Sequence, residues 1–463
     1  METLPGAPVR RILACHVLLL TLSFGLHSNA EVVLQPLYEF QHDMANGGFP
    51  LGSLAEGSDG WFYGCTQSGG AHGQGTVYKF RPGGPLTNLH TFTYDEGAPR
   101  GVTFGGDGLL YGVANGGGPV RGGTAFTIST EGAFSTLFSF EGTNGANPVP
   151  HLVLGTDGFL YGTTAGGGEQ EAGTIFRIST NGTLTTLYSF TIMNGNVPAP
   201  SSPVLQTADG SLYGTTSRGG LYDLGTVFKL GTNSTFSTLV HFDATNGSYP
   251  LTGLTLGTDG SLYGTTWFGG AFNRGTIFRL TSIQTLETVI TFDGTNGARP
   301  MGPLTRALDG ALYGTTSQRL SGTNWTPGSV FQLSSNGAMH SVALFSGSSE
   351  TRAFLELSLA SDGALYGGLL DAGGSPFPGD SAGQIVRLVE PPRIVSIIPK
   401  HNSVTITWTS ITNALYRVEQ KAALSDPQWS AISSNVIGTG SLCQFAFSSP
   451  QSSHNFFRAV LLP

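Results

Sequence analysis

Residues 259–264 read DGSLYG, and the pattern Asp-Gly-x-Leu/Phe-Tyr-Gly occurs seven times along the 463-residue chain. Self-similarity with a period of about 50 residues indicates a supersecondary unit that buries its core only against neighbouring copies. This repeat therefore decides the fold. The seven copies begin at Asp59, Asp107, Asp157, Asp209, Asp259, Asp309 and Asp362.

The fifth copy shows the internal plan of the repeat. Residues 254–256 and 261–266 form two apolar runs joined by Asp-Gly, which is typical of a tight hairpin turn. Residues 275–280 (GTIFRL) and 286–292 (LETVITF) supply two more strands. Four short antiparallel strands, named A to D in chain order, are typical of a propeller blade. The sequence predicts an all-β fold with a seven-bladed β-propeller of four-stranded antiparallel blades.

The two ends of the repeat array complement each other. The seventh copy contains strands A, B and C and ends with residues 384–388 (QIVRL), without a strand D. Residues 33–40 (VLQPLYEF) resemble the strand D at residues 184–190 (LTTLYSF). We therefore expect the N-terminal strand to close the ring and to remove the open sheet edge. The propeller is predicted to span residues 31–390.

Some side chains recur in register. A Tyr in each strand B and a Phe at the end of each strand D are predicted to pack between blades. A basic residue near the end of strand C is expected to pair with the Asp of the Asp-Gly turn. These basic residues are Lys79, Arg177, Lys229, Arg279 and Arg387.

The composition excludes several classes of protein. Charged residues make up 11% of the chain, against about 25% in an average soluble domain, and 69 residues are Gly. Coiled coils and helical solenoids need charged outer faces, so they do not fit. The formal net charge of −8 argues against a nucleic-acid partner.

The N-terminus has the pattern of an export signal. Arg10 and Arg11 precede an apolar stretch at residues 12–26, and Ser28-Asn29-Ala30 supplies small residues for cleavage. The alternative is an uncleaved anchor, but a spanning helix needs about 20 apolar residues and this stretch is shorter. We predict that residues 1–30 are a signal peptide cleaved after Ala30. The mature chain is then secreted, extracellular or periplasmic, with no transmembrane segment.

The repeat resembles a known family. Its extended pattern, DGxLYGTTxxGG followed by GT[IV]F[KR]L and DGTNGAxP, is similar to the GloVer tandem repeat of choice-of-anchor bacterial proteins. The resemblance covers roughly residues 33–388 and implies an exported bacterial protein without an assigned activity. Members commonly end in an anchoring tail, whereas this sequence has no apolar helix near Pro463.

A second domain is predicted at residues 391–463. The stretch VEPPR at residues 389–393 reads as a stiff linker, and several β-type runs follow it. The placement of Trp408 and Tyr416 resembles a fibronectin type III or related immunoglobulin-like β-sandwich. Such a small module is expected to act as a spacer or docking unit.

Signs of chemistry are few. The pentapeptide GDSAG, from Gly379 to Gly383, fits a nucleophile motif, but a loop surrounds it and a strand follows where a helix is required. Cys65 and Cys443 are far apart and form no disulfide framework. The histidines lack metal-ligand spacing. We predict no enzymatic activity, no metal and no cofactor.

The loops that vary between copies are the candidate binding residues. The B–C and D–A loops are expected at one end of the propeller, and exposed aromatic residues beside polar groups suit sugars or peptides. Ordinary loop variation is the alternative. The candidate residues are Trp267, Phe268, Phe272, Asn273, Arg274, Arg218, Tyr222, Asp223 and Trp325.

The sequence leaves three function classes open. The leading prediction is a non-catalytic extracellular binding or scaffold protein, monomeric, with a glycan or protein ligand. The second is a secreted propeller enzyme that cleaves polysaccharide as a lyase or glycosidase, which requires two carboxylates or an acid–base pair at the channel, where strand A offers few candidates. The third is a structural component of the envelope.

Overall fold

The computed structural model describes most of the chain from Val33 onward. The predicted signal peptide lies outside the described residues, as does the GDS part of the GDSAG motif. No helix of the described chain has the length and apolarity needed to cross a membrane. The described residues are 33–41, 44–192, 198–282, 284–321, 324–345, 354–370, 382–389, 394–400, 403–409, 415–421, 428–437, 442–448 and 456–461.

Seven antiparallel sheets in the described chain correspond one to one with the seven sequence copies. In each sheet the strands pair in the order A, B, C, D. Sheet 1 contains Gly48–Glu56, Phe62–Ser68, Thr76–Phe80 and Thr87–Thr91; sheet 2 contains Ala98–Phe104, Leu110–Asn115, Thr124–Ile128 and Phe134–Ser139. Sheet 3 contains Ala146–Pro148 with Val153–Leu154 as a divided strand A, then Leu160–Gly166, Thr174–Ile178 and Leu184–Ser189.

The remaining sheets keep the same plan. Sheet 4 contains Leu205–Gln206, Leu212–Thr216, Thr226–Leu230 and Phe236–His241; sheet 5 contains Thr255–Leu256, Leu262–Thr266, Thr276–Leu280 and Leu286–Thr291. Sheet 6 contains Ala298–Pro300 with Thr305–Arg306, Leu312–Ser321, Asn324–Leu333 and Met339–Leu344. Sheet 7 contains Phe354–Leu359, Leu365–Leu370 and Gln384–Val389, and its outer strand is Val33–Glu39.

The N-terminal strand closes the array as the sequence predicts. Val33–Glu39 pairs antiparallel with Gln384–Val389, from Val33 opposite Val389 to Glu39 opposite Gln384. The amide of Phe40 then donates to the carbonyl of Gly383 over 2.9 Å. The amide of Leu54 in sheet 1 donates to Ser358 Oγ in sheet 7, so the last sheet also contacts the first.

Aromatic side chains fill the spaces between adjacent sheets. Phe140, at the end of strand D in sheet 2, packs edge-on against Phe176 of sheet 3 with ring centroids 5.3 Å apart. Both rings are fully buried. The Tyr of strand B donates its hydroxyl to the turn Asp over 2.6–3.1 Å in five sheets. The predicted packing of the repeated Tyr and Phe residues is therefore observed.

The expected basic partner of the turn Asp is found in three sheets. Arg387, Arg279 and Lys229 lie 2.7, 3.2 and 3.8 Å from the carboxylate oxygen of their own turn Asp. The expectation is wrong for Lys79, which donates to the carbonyl of Thr130 and lies near Glu131 of sheet 2. It is also wrong for Arg177, whose guanidinium stacks on Phe159. In both cases the basic side chain contacts residues other than its turn Asp.

The C-terminal segment contains two further antiparallel sheets. One joins Ile394–Lys400, Ser403–Thr409 and Leu442–Ser448; the other joins Leu415–Lys421 to Ser430–Ala431, Val436–Ile437 and Phe456–Leu461. Trp408 from one sheet and Tyr416 from the other are buried in a common core, with ring centroids 6.1 Å apart. The likeness of this C-terminal segment to a fibronectin type III module remains a prediction.

Candidate functional site

The B–C and D–A loops meet at one end of the sheets. In sheets 5 and 6 the residue before a Pro that lies in or ahead of strand A has a positive φ, and its amide donates to a B–C loop carbonyl of the preceding sheet. Tyr249 donates in this way to Leu224, and Arg299 donates to Arg274, both over 2.8 Å. A residue other than glycine adopts a positive φ only when the surrounding structure fixes its backbone in that conformation. The repeated bond fixes the loop end of one sheet to the next.

Two of the predicted binding residues shape their own loop. Asp223 and Asn273 occupy equivalent positions in the B–C loops of sheets 4 and 5, with φ of 54° and 53°. Their Oδ1 atoms accept the amides of Gly219 and Gly269 over 2.8 and 2.9 Å. Short Asp and Asn side chains suit this conformation because they hydrogen-bond locally. Their contribution to a ligand stays a prediction.

Aromatic and basic side chains cluster on the loops of sheets 5 and 6. The Trp267 and Phe268 rings are 4.6 Å apart, and the Arg299 guanidinium lies 5.2 Å from the Phe268 ring. Arg274 lies 5.3 Å from the Trp325 ring and donates to the backbone carbonyl of Asp293. The structure thus brings together predicted residues from two neighbouring sheets. We call Tyr249, Trp267, Phe268, Arg274, Arg299 and Trp325 the loop-end cluster.

The other predicted residues surround this cluster less closely. Phe272 is 57% exposed at the tip of the sheet 5 loop, and Tyr222 is 60% exposed at the tip of the sheet 4 loop. Arg218 is also exposed, and its carbonyl accepts the hydroxyl of Thr216. All three side chains belong to the B–C loops of sheets 4 and 5.

A second polar cluster was missed by the sequence reasoning. His151 Nε2 lies 3.2 Å from Glu356 Oε2 and 3.2 Å from the amide nitrogen of Ser53. The second ring nitrogen lies 3.5 Å from Ser53 Oγ. The three residues come from sheets 1, 3 and 7, and sheet 3 adjoins neither of the others. Contacts between such sheets must cross the centre of the ring.

A shared register could have revealed this cluster. Ser53, His151 and Glu356 each stand six residues before the Asp of their Asp-Gly turn. The other four copies have Gly or Pro there: Gly101, Pro203, Gly253 and Pro303. Three copies therefore carry a polar side chain at a position where the other four have Gly or Pro, and this difference can be read from the sequence.

Glycines of sheets 1 and 2 make room for the His151 ring. A Cβ atom on Gly52 would come within 2.5 Å of the ring, and one on Gly101 within 2.4 Å. Both glycines also have positive φ, where L residues are strained. His151 itself has φ of 66°. Three unusual backbone conformations therefore converge on one imidazole.

Arg100 and Cys65 adjoin the cluster. Strand A of sheet 2 is irregular between Pro99 and Val102, and Arg100 lies in this irregularity. Burial lowers the pKa of Arg100 and raises the pKa of the fully buried Cys65 thiol to about 12. Arg100 opposes the rise at Cys65, whereas Glu356 adds to it. We call Ser53, His151 and Glu356 the axial cluster.

The hydrogen bonds of His151 compete with one another. When Nε2 carries a proton, it can donate a hydrogen bond to the Glu356 carboxylate, but it cannot accept one from the Ser53 amide. When Nε2 carries no proton, it can accept the hydrogen bond of the Ser53 amide, but it cannot donate one to an ionised Glu356 carboxylate. The side chains of His151 and Glu356 are 10% and 15% exposed, so water satisfies little of this demand. The described residues contain no group of His, Cys, Asp and Glu side chains that could hold a metal ion.

Two overlapping stretches of sequence, residues 24–155 and 98–326, match the family model described as the Gloeobacter/Verrucomicrobia repeat. Together they span well over half of the chain. The chain belongs to the Gloeobacter/Verrucomicrobia repeat family. The predicted tandem-repeat family is thereby confirmed. No curated protein matches the sequence.

Solved structures similar to this member of the repeat family share its architecture at low identity. A fungal alcohol oxidase of the AA5 family, in complex with copper, has a TM-score of 0.51 and 10% identity over 94% of this chain and 93% of that one. YCF48 from Cyanidioschyzon merolae has a TM-score of 0.47 and 13% identity, covering 78% of this chain and 99% of that chain. A gluconolactonase from Xanthomonas campestris has a TM-score of 0.40 and 13% identity, covering 64% and 87%. The likeness concerns the fold alone, and the all-β propeller class is confirmed.

Proposed function

We propose that the chain is a non-catalytic binding protein of the bacterial cell exterior, which holds a glycan or protein ligand at the loop-end cluster. The observation that carries this proposal is the group of aromatic rings around Trp267 and Phe268, bordered by Arg274 and Arg299. Aromatic faces stack on sugar rings and on apolar side chains, and guanidinium groups supply hydrogen bonds at the edge.

Rigidity supports this role. The amides of Tyr249 and Arg299 bond across adjacent sheets, and the Arg274 guanidinium holds the carbonyl of Asp293. Arg274 also lies over the Trp325 ring of the next sheet. A prearranged surface loses little conformational entropy on binding, so affinity does not depend on ordering a loop.

The proposal includes a cellular context. The predicted signal peptide at residues 1–30 places the mature chain outside the cytoplasm, in the periplasm, on the cell surface or in the medium. In this scheme the propeller is a monomeric recognition domain. The C-terminal module, which buries Trp408 and Tyr416 in its own core, is a spacer.

A glycan array tests the loop-end site. We expect the purified protein to bind a subset of glycans, and Trp267→Ala to reduce that binding about fivefold to a hundredfold, which corresponds to the about 1–3 kcal/mol found where a nucleic-acid base stacks on one aromatic residue. Leu308→Ala is the matched control, since Leu308 is an exposed apolar residue, 77% accessible, beside an Asp-Gly turn. Equal binding by the parent and Trp267→Ala would refute the site, and a peptide array then tests the protein alternative in the same way.

A polysaccharide-cleaving enzyme is the second candidate function. The observation in its favour is the contact between His151 and Glu356, which supplies a potential acid–base pair in the ring centre. The test is incubation with acidic and neutral polysaccharides, followed by measurement of reducing ends and of ultraviolet absorbance from unsaturated sugars. Activity abolished by Glu356→Gln would support this candidate, and its absence from all substrates would support the binding function.

A further inference from the structure

We propose that the loop-end cluster binds an acidic sugar chain, whose carboxylate or sulfate groups contact Arg274 and Arg299 while a ring of the same chain stacks on Trp267. The inference rests on the proposed function, because it names the chemical class of glycan that this site would hold. It depends on contacts and charges at the junction of sheets 5 and 6.

Three arginines surround the D–A loop between sheets 5 and 6. Arg274, from the B–C loop of sheet 5, donates to the carbonyl of Asp293. Arg319, from sheet 6, donates through Nε to the carbonyl of Thr295 over 3.0 Å. Arg299 lies where the loop enters strand A, and its amide donates to the carbonyl of Arg274 over 2.8 Å. One short loop therefore brings three positive charges together on a chain whose formal net charge is −8.

The Arg299 guanidinium has hydrogen-bonding capacity to spare. It lies 5.2 Å from the Phe268 ring, and it makes no hydrogen bond or ion pair with any described residue. The side chain is half-buried, and none of its unpartnered nitrogen atoms is shut off from solvent. The planar fork of a guanidinium matches the two oxygen atoms of a carboxylate or sulfate. Arg299 can therefore receive an anion without breaking a contact of the fold.

The carboxylate of the same loop is already engaged. Asp293 Oδ1 accepts the amides of Thr295 and Asn296 over 2.8 and 3.1 Å, and it accepts the Thr295 hydroxyl over 2.8 Å. Burial opposes ionisation of Asp293, but hydrogen bonds from Asn296 and Thr295 and the charge of Arg274 lower the pKa of its carboxyl. This single carboxylate offsets part of the positive charge, and an excess remains for an anionic ligand.

The preceding copy of the repeat shows that the fold does not need these charges. Leu224 and Tyr249 stand 50 residues before Arg274 and Arg299. Their backbones form the same hydrogen bond over 2.8 Å, although neither side chain is charged. Because the loop junction forms equally with Leu and Tyr, its backbone geometry leaves the two arginines unexplained. We attribute them to ligand binding.

Backbone pairing at the cluster favours a glycan over a peptide. The amides of Trp267 and Phe268 donate to the carbonyls of Tyr249 and Ser248, each over 3.1 Å. A peptide that adds a strand to a sheet needs unpaired backbone groups, so these two amides are not available to it. Recognition is left to ring faces and guanidinium groups, which together suit a sugar ring that carries an anion.

The test is calorimetric titration of the purified protein with oligogalacturonate, a chain of sugar acids, and with its methyl ester as the uncharged match. We expect the acid form to bind at least tenfold more tightly than the ester. Arg299→Met should weaken binding of the acid form about tenfold to a hundredfold, the range for a charge-assisted hydrogen bond, and should leave ester binding unchanged.

Arg306→Met is the matched control. Arg306 is an exposed arginine of the same sheet, three residues before its Asp-Gly turn and outside the loop-end cluster. The substitution removes the same charge from the protein and should leave both titrations unchanged. A sulfated galactan oligosaccharide, titrated alongside, shows whether carboxylate or sulfate is bound more tightly; binding of either that depends on Arg299 supports the site.

Several results would overturn the proposal. They are equal binding of the acid and ester forms, unchanged binding by Arg299→Met, or an equal loss in Arg306→Met. Tighter binding of poly-L-glutamate than of either acidic sugar chain would also do so, since it would identify an acidic peptide as the partner. If Arg299→Met does not fold, salt provides an independent readout in the parent. Added salt should weaken binding of the acid form and not of the ester, and an equal effect on both counts against the site.

The proposed function and this inference fail separately. Trp267→Ala should weaken binding of the acid and ester forms alike, because both carry the ring that stacks. Binding of neutral glycans that depends on Trp267, with no preference for the acid form, would reject the acidic ligand and leave the proposed function intact. Absence of any glycan or peptide binding that depends on Trp267 would reject the proposed function and the inference together.

Discussion

Phe40→Ala is the most direct test of how the propeller closes. Phe40 follows the N-terminal strand and is 1% exposed. Its ring lies 5.0 Å from that of Tyr38 and 5.6 Å from that of Tyr78 in sheet 1, and its amide donates to Gly383. The side chain therefore joins the first strand to the two sheets at the closure. Its removal leaves a cavity at this point.

The expected magnitude follows from burial. Truncation of a fully buried Phe to Ala costs about 3–5 kcal/mol, including the cavity term. For a propeller of this size the unfolding entropy is roughly 0.75 kcal/mol per kelvin, so the melting temperature should fall by roughly 4–7 °C. Phe242→Ala is the matched control, because Phe242 has the same repeat position in sheet 4 and is fully buried beside Phe278.

Scanning calorimetry and urea unfolding measure both variants. Comparable losses are expected if the N-terminal strand is as firmly packed as an internal strand D. A protein lacking residues 1–40 should lose more, and a synthetic peptide of residues 31–40 should restore part of its melting temperature by adding the missing strand. A loss below 1 kcal/mol for Phe40→Ala, with the full loss for Phe242→Ala, would show that the first strand does not close the ring.

Three further changes probe the centre, the turns and the C-terminal module. Gly101→Ala should cost about 1–3 kcal/mol in urea unfolding through its clash with the His151 ring, and adding His151→Ala should restore part of this; no loss would contradict the close approach. Arg387→Met should lower the free energy of unfolding in urea by about 3–5 kcal/mol, because it leaves the carboxylate of Asp362 without its cation. Lys229→Met should lower it by under about 1 kcal/mol, because the ion pair of Lys229 with Asp209 is longer and more exposed. Equal losses in the two variants would contradict this reasoning. Burial opposes ionisation of Glu419, but hydrogen bonds from two arginines lower the pKa of its carboxyl. The ionised carboxylate therefore stabilises the fold above the ordinary Glu pKa, and this stabilisation is lost as the pH falls. Glu419→Gln should make the melting temperature depend less on acid pH, and an unchanged dependence would refute this.

The propeller class was predictable because the positions of the four strands can be read from the sequence of each repeat. Each Asp-Gly turn and its flanking apolar runs carry local information, and seven copies reinforce one another. The pairing of Val33–Glu39 with Gln384–Val389 was predictable for the same reason, since a missing strand D at one end matched an extra one at the other. The partners of Lys79 and Arg177 were not, because long basic side chains choose among neighbours that only folding brings near.

The candidate sites were predictable to different degrees. The loop-end residues follow from a comparison of the copies, since Trp267 and Phe268 interrupt an otherwise glycine-rich loop. The axial cluster depends on contacts between residues about 100 and 200 positions apart. His151 has no motif around it, and its environment comes from sheets that only ring closure brings together. The available signal was that Ser53, His151 and Glu356 occupy the same position in their copies of the repeat. This signal becomes visible only after the seven copies have been aligned with one another.

The pairing of the first strand with the last sheet orders events during synthesis. Val33–Glu39 is among the earliest parts of the propeller to leave the ribosome, yet its partner Gln384–Val389 emerges among the last. Until then the early sheets exist as an open arc with two unsatisfied edges, and such long-range pairing is slow to form. The ring therefore cannot close before residue 389 has been synthesised. Any chain that ends before that residue is left with a first strand that has no partner in the seventh sheet.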